Sequence, residues 1–127
     1  TMTLGGMLKH LTFVEQWWFS IVLHGHEPSG IWADVDWEAD EDWDWHSAVQ
    51  DSPDQLRTWL DEAIATSDRL VDGALARGEG LDVLAARERR GGPVSLRWIL
   101  VHMVEEYARH CGHADLIRES IDGVTDL

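Results

Sequence analysis

Leu96-Arg-Trp-Ile-Leu-Val-His-Met-Val-Glu-Glu-Tyr-Ala-Arg-His-Cys-Gly-His-Ala-Asp-Leu-Ile-Arg-Glu119 lies in the last third of the chain and reads as one continuous helix. It carries His102, Glu106, His110 and His113 at spacings of four, four and three residues, which put three imidazoles and a carboxylate on one stripe. Side chains one turn apart can converge on a point a few ångströms from the axis, which is how helices hold metal ions. A solvated polar stripe has the same spacing. The direction in which the stripe points decides between the two.

With a step of about 100° per residue and His102 at zero, Glu106 falls at about 40°, His110 at about 80° and His113 at about 20°. The apolar arc traced by Leu96, Ile99, Leu100, Met103, Val104, Tyr107, Cys111 and Ala114 runs from about 60° to about 200°. Glu106 and His110 are therefore expected at the edge of the buried face, His102 and His113 further out, and Arg109 and Trp98 further still. A carboxylate pushed toward an apolar interior is costly unless it is paired or binds a cation, so Glu106 requires a partner. The first helix offers one. Met7, Leu11, Val14, Trp17, Trp18, Ile21 and Val22 have helical period up to about Leu23, and His10 stands in the first half of that run. A lone histidine on an apolar face is usually a satisfied core residue. His10, Glu106 and His110 together, on the inner edges of two helices that pack on one another, form a candidate metal site.

Size and charge narrow the classes of function. A chain of 127 residues makes a single domain, 1–127, with one modest core. A net charge of −14 argues against a nucleic-acid partner, because phosphate binding needs a basic face. The basic trio Arg87, Arg89 and Arg90 is interrupted by Glu88 and followed by Gly91-Gly92-Pro93, as in a solvated loop. No apolar run approaches a membrane span and no secretory signal opens the chain, so a soluble, cytoplasmic protein is expected. The single cysteine excludes an intrachain disulfide. Cys111 falls inside the apolar arc and is expected to be buried as a small hydrophobe, with His110 pointing elsewhere on the wheel.

Three long helices are legible. The first stops in the stretch His24-Gly25-His26-Glu27-Pro28-Ser29-Gly30. From Ile31 to His46, Trp32, Trp37, Trp43 and Trp45 alternate with acidic residues in neither helical nor strand period, which predicts an irregular connection held down by its tryptophans. The acids read as a solvated face, and no EF-hand loop is present. Ser52-Pro53-Asp54 opens the second long helix, with serine as N-cap and proline in the first turn. Its stripe runs from Leu56 to Ala74 before Gly78 and Gly80 end it. Gly80 to Arg90 reads as an extended or helical link. The last helix follows Ser95 and runs to about Asp122, with Gly123 as its cap. Amphipathic helices with long connections make an all-α bundle.

The segments Gly6-Met-Leu-Lys-His-Leu-Thr-Phe-Val-Glu-Gln-Trp-Trp-Phe19, Asp42-Trp-Asp-Trp-His46 and Leu96 to Glu119 resemble the DinB superfamily, and more narrowly its actinobacterial branch of mini-circle-like proteins. The likeness covers essentially the whole chain. It implies a DinB-like four-helix bundle, often dimeric, with a divalent metal held by one side chain from an early helix and two from the last. Carried over residue by residue, the early ligand matches His10 and the final one His110. The remaining ligand, one turn before, is usually histidine and here is Glu106. A two-histidine, one-carboxylate set suits zinc first, and also nickel, manganese or iron. Family members also carry a helix before the one bearing the first histidine. This chain opens at Thr1-Met2-Thr3-Leu4, so three long helices are expected where four are usual, with a second copy, in a homodimer, covering the face left open.

What the resemblance implies for activity is thiol transfer. Superfamily enzymes join a low-molecular-weight thiol, mycothiol in actinobacteria, to an electrophile, and one is a mycothiol-dependent isomerase. On that expectation His10, Glu106 and His110 bind the metal, His102 or His113 orients a ligand or shuttles a proton, and Trp17, Trp18 and Tyr107 line the pocket. Two alternatives stand beside it. One is a non-catalytic metal-binding or structural protein whose tryptophan-rich acidic segment meets a partner, and the other is a metal-assisted hydrolase.

Overall fold

A computed structural model describes residues 2–125 of the chain. The architecture is all-α, a DinB-like bundle of four helices, of which three are long and one short. Helix α1 spans Leu4–Glu15 and continues without a break as a π-wound segment, Gln16–Leu23. Helix α2 is the short Trp43–Ser47, α3 is Pro53–Leu75 and α4 is Leu96–Asp122. Single 3₁₀ turns stand at Gly30–Trp32, Ala48–Gln50 and Gly80–Asp82.

Each long helix begins where a hydroxyl satisfies one of its free N–H groups. Thr3 accepts from the Gly6 amide at 3.0 Å, Ser52 from Gln55 at 3.2 Å and Ser95 from Trp98 at 3.2 Å. Gly123 closes α4 in the left-handed region at φ 73°, donating to the Glu119 carbonyl at 2.9 Å. The far end of the π-wound segment is capped by a tertiary contact. The Ala86 and Arg87 amides donate to the Leu23 and Val22 carbonyls at 3.0 Å each. The link before α4 thus lies as a strap across the end of the first helix. After the 3₁₀ turn at Gly80–Asp82 it hydrogen-bonds in extended form, as a hairpin with bridges Leu84 to Ser95 and Arg89 to Gly92, in keeping with an extended or helical link.

The core gathers Val14, Trp18, Phe19, Val22 and Leu23 of the first helix, Ala74 of α3, Val83 and Ala85 of the strap, and Leu96, Ile99 and Met103 of α4. The buried residues of α4 are Leu96, Ile99, Met103, Glu106 and His110, a narrower stripe than the apolar residues of its sequence describe. Val104 is 71% exposed and Cys111 is exposed, contrary to the expectation that both share the buried arc. The reason is packing. Only one narrow face of α4 meets the other elements, so part of its apolar arc is left outside. Glu106 consequently closes one margin of the buried stripe, as expected, while His110 sits in its middle.

The connection between α1 and α3 is more ordered than its aperiodic sequence indicates, since α2 and two 3₁₀ turns punctuate it. Its tryptophans do hold it down. Trp37 and Trp32 meet Phe13 with ring centroids 4.5 Å and 5.1 Å apart, and Trp43 packs edge-on against Trp32 at 5.8 Å. Lys9, almost fully buried, pairs with Asp51 and lies over the Trp43 ring at 4.6 Å. Gly6 admits the Trp45 ring, because a Cβ there would fall 2.8 Å from Trp45 Cε3. Among the described residues no helix is long and apolar enough to cross a membrane.

The orientation of α4 is tested by two neighbouring truncations. Ile99 is fully buried and Val101 is 64% exposed. Chemical denaturation of Ile99→Ala should show a loss of about 2–5 kcal/mol, as for other large-to-small core changes, while Val101→Ala should stay within about 0.5 kcal/mol of the parent.

Candidate metal centre

Position on the helices brings three of the sequence-predicted residues together. His10 stands on α1, and Glu106 and His110 stand one turn apart on α4. One ligand atom from each lies within 4.8 Å of the others. Glu106 Oε1 is the meeting point, 3.2 Å from His10 Nε2 and 3.1 Å from His110 Nε2. The other carboxylate oxygen accepts from Arg109 at 3.4 Å. Glu106 and His110 are buried and His10 is half-buried.

The ring nitrogens turned away from this point are also engaged. His10 Nδ1 donates to Asp44 Oδ2 at 2.7 Å, which leaves Nε2 aimed at Glu106. His110 Nδ1 faces His113 Nδ1 at 3.4 Å. Trp45 stacks on the His10 ring at 4.8 Å with planes 26° apart, which fixes the ring's tilt. A carboxylate or neighbouring acceptor behind a ligating histidine is the usual means of setting its tautomer and direction.

Charge balance in the cluster follows from these contacts. Burial opposes a charged His10, but the Asp44 and Glu106 carboxylates outweigh it and raise the pKa above the usual histidine value. Burial pushes Glu106 up, yet hydrogen bonds from His10 and His110 prevail and hold it below the usual carboxylate range. His110 is lowered, first by burial and then by the nearby charge of His10. Two imidazoles of opposite tendency thus share one carboxylate oxygen.

The donor set fits a divalent ion. Ligand atoms bonded at about 2.1 Å to one tetrahedral ion stand about 3.4 Å from each other; Glu106 Oε1 lies near that distance from both Nε2 atoms, and all three ligand atoms lie within 4.8 Å of one another. Three protein ligands leave a coordination position open. A family model described as mycothiol-S-transferase matches residues 1–123. The chain belongs to that family. The mycothiol-S-transferases are metal-dependent and lie within the DinB-like superfamily. Comparisons with curated proteins and with solved structures found no match.

The remaining sequence candidates in this mycothiol-S-transferase-family chain are placed as follows. His113 contacts His110, on the side away from Glu106. His102 lies elsewhere, stacked on Trp98 at 5.1 Å with planes 8° apart and tilted against Trp18 at 4.6 Å. It stands eight residues from His110, or about 12 Å along the helix. Trp17 lines an apolar cavity of about 420 Å³ together with His10, Phe13, Val14 and Trp37. Trp18 is packed in the core, and Tyr107 turns inward to donate from its hydroxyl to Glu15 at 2.7 Å, so neither borders that cavity. Burial and the Glu15 carboxylate push the Tyr107 phenol well above its usual value, keeping it a donor.

Asp44 was not singled out from the sequence. It is one of seven acids in the run from Asp34 to Asp44, which as a group reads as a solvated face, but it is the buried one. Its sequence signal is confined to its place between Trp43 and Trp45. Replacing it by asparagine keeps the size but removes the anionic acceptor behind His10. Titration of the metal-free protein with zinc should show affinity reduced by about 10–100-fold in Asp44→Asn. Unchanged affinity would mean that Asp44 serves packing alone.

Proposed function

We propose that this protein is a metal-dependent S-transferase for mycothiol or a similar low-molecular-weight thiol, with His10, Glu106 and His110 as the metal ligands. The observation that carries the reading is the convergence of these three side chains beside an apolar cavity whose wall includes His10 itself. A divalent ion bound there supplies the Lewis acidity that lowers the pKa of a coordinating thiol. Zinc is the first choice for a set of two imidazoles and one carboxylate.

The side chains divide the work. Asp44 holds His10 so that Nε2 points inward, and His113 accepts the Nδ1 proton of His110 when His110 Nε2 serves as a ligand. Phe13, Trp17 and Trp37 form an apolar wall that suits an electrophile with a hydrocarbon or aromatic body. In the transfer, the thiol proton passes to solvent, the sulfur bonds to the electrophilic carbon, and the leaving group departs as an anion with the electron pair of the bond that breaks. His102 belongs to the Trp18 and Trp98 stack and has no part assigned in this scheme.

Elemental mass spectrometry of the purified protein should find about one metal per chain, as one three-ligand site requires, with the metal lost in both His10→Ala and His110→Ala. The native protein should then conjugate mycothiol to an alkyl halide, and both variants should fall to the uncatalysed rate. Trp17→Ala should retain its metal and raise KM for the electrophile several-fold with little change in kcat. A metal-loaded native protein that turns over no thiol with any halide would instead favour a binding or structural role.

A further inference from the structure

A second cavity, of about 310 Å³, opens between the first helix and α3 and shares no residue with the metal centre. Its walls include Glu15, Trp32, Trp59, Glu62 and Ser67. The wall nearest the 3₁₀ turn is fastened by a reciprocal pair, in which Gln16 Nε2 donates to Ser29 Oγ at 3.1 Å and the Ser29 amide donates to Gln16 Oε1 at 3.0 Å. The π-wound part of the first helix starts at this level, and such winding recurs at functional sites.

Two deeply placed polar side chains in this cavity have oxygens that no described residue bonds. Glu15 is 5% exposed and Ser67 is 6% exposed. Glu15 Oε1 accepts from Tyr107, but among the described residues no cation pairs with the carboxylate and none donates to Oε2. The Ser67 hydroxyl likewise has no protein partner among them. Among the described residues the one fully enclosed side-chain polar atom without a partner is Ser47 Oγ. The free oxygens of Glu15 and Ser67 therefore keep contact with open space, and the cavity that both residues line is the space available to them. A deep carboxylate with no cation beside it and an open hydroxyl, both facing one cavity, suit a ligand that brings positive charge and N–H groups.

We infer that this cavity binds a small organic cation, a primary ammonium on a body of a few carbon atoms. The ammonium donates to Glu15 Oε2 and Ser67 Oγ, Trp32 and Trp59 offer aromatic surface to its stem, and Glu62 adds negative potential at the exposed margin. The chain's net charge of −14 draws cations toward it. A quaternary ammonium has no N–H to give and fits less well. A divalent metal is disfavoured, because Ser67 and a single deep carboxylate are too few oxygen ligands.

The probes are n-butylammonium and its neutral counterpart 1-butanol, added to the full chain while backbone amide and tryptophan indole resonances are followed by NMR. The ammonium should shift Ser67, Trp32 and Trp59 in a saturable way, and 1-butanol should bind at least about ten times more weakly, as the loss of a charge-assisted contact implies. Glu15→Gln retains an acceptor for Tyr107 and should weaken the ammonium at least about tenfold without changing the response to 1-butanol. If that variant does not fold by circular dichroism, Ser67→Ala makes the same comparison and should weaken the ammonium several-fold. Equal binding of the two probes, shifts confined to other surfaces, or unchanged affinity in the folded variant would overturn the assignment. None of these readouts depends on metal or on thiol conjugation.

Discussion

One carboxylate oxygen, Glu106 Oε1, joins the first and last helices of this bundle. A carboxylate in the buried stripe of α4 is tolerable because His10 and His110 both reach it, and each imidazole is in turn held on its far side. Those supports come from scattered parts of the chain. Asp44 arrives on a five-residue helix, Trp45 reaches His10 across Gly6, and His113 is supplied by the next turn of α4. The connection between α1 and α3 therefore does more than link helices, since it delivers the acceptor that sets the direction of His10. Removing one partner of such a buried group leaves the others short of their hydrogen bonds, so the cluster is built to be filled as a unit.

The same arrangement suits either a proton-sharing network or an ion. Without metal, the three side chains compete for protons, which is visible in the opposite tendencies of His10 and His110. With metal, both Nε2 lone pairs and the carboxylate oxygen face one point. The mycothiol-S-transferase family to which the chain belongs is metal-dependent, in keeping with the second state, and an apolar wall lies beside His10.

Much of the fold could be read from residues alone, because the signals were local. Ser52 with Pro53, Ser95, and Gly123 mark helix ends by their own chemistry, and the period of α4 is long enough to be unambiguous. The convergence of His10 with Glu106 and His110 was also legible, since a turn spacing on one helix and an apolar face on another constrain which residues can meet. What escaped was everything set by how much of a helix is covered. Val104 and Cys111 are apolar in sequence yet lie outside, because burial depends on neighbours that a helical wheel does not contain. Asp44 escaped for a related reason. Its separation from the surrounding acids is one of depth, and no periodicity in that segment encodes depth. Trp18 and Tyr107 illustrate the converse, since residues fit for a pocket wall turn instead to the core and to Glu15.

The π winding from Gln16 to Leu23 bears on how this chain can tolerate changes of length. His10 stands before the wide turns, while Trp18, Val22 and Leu23 of the core lie within them. Wound as ordinary α-helix at the same length, this stretch would turn one half against the other by about 100°. His10 and the core residues could not then both keep their partners. Loss of one residue is the change of length that the wide turns can absorb, closing to α-helix while His10 and the core residues keep their phase.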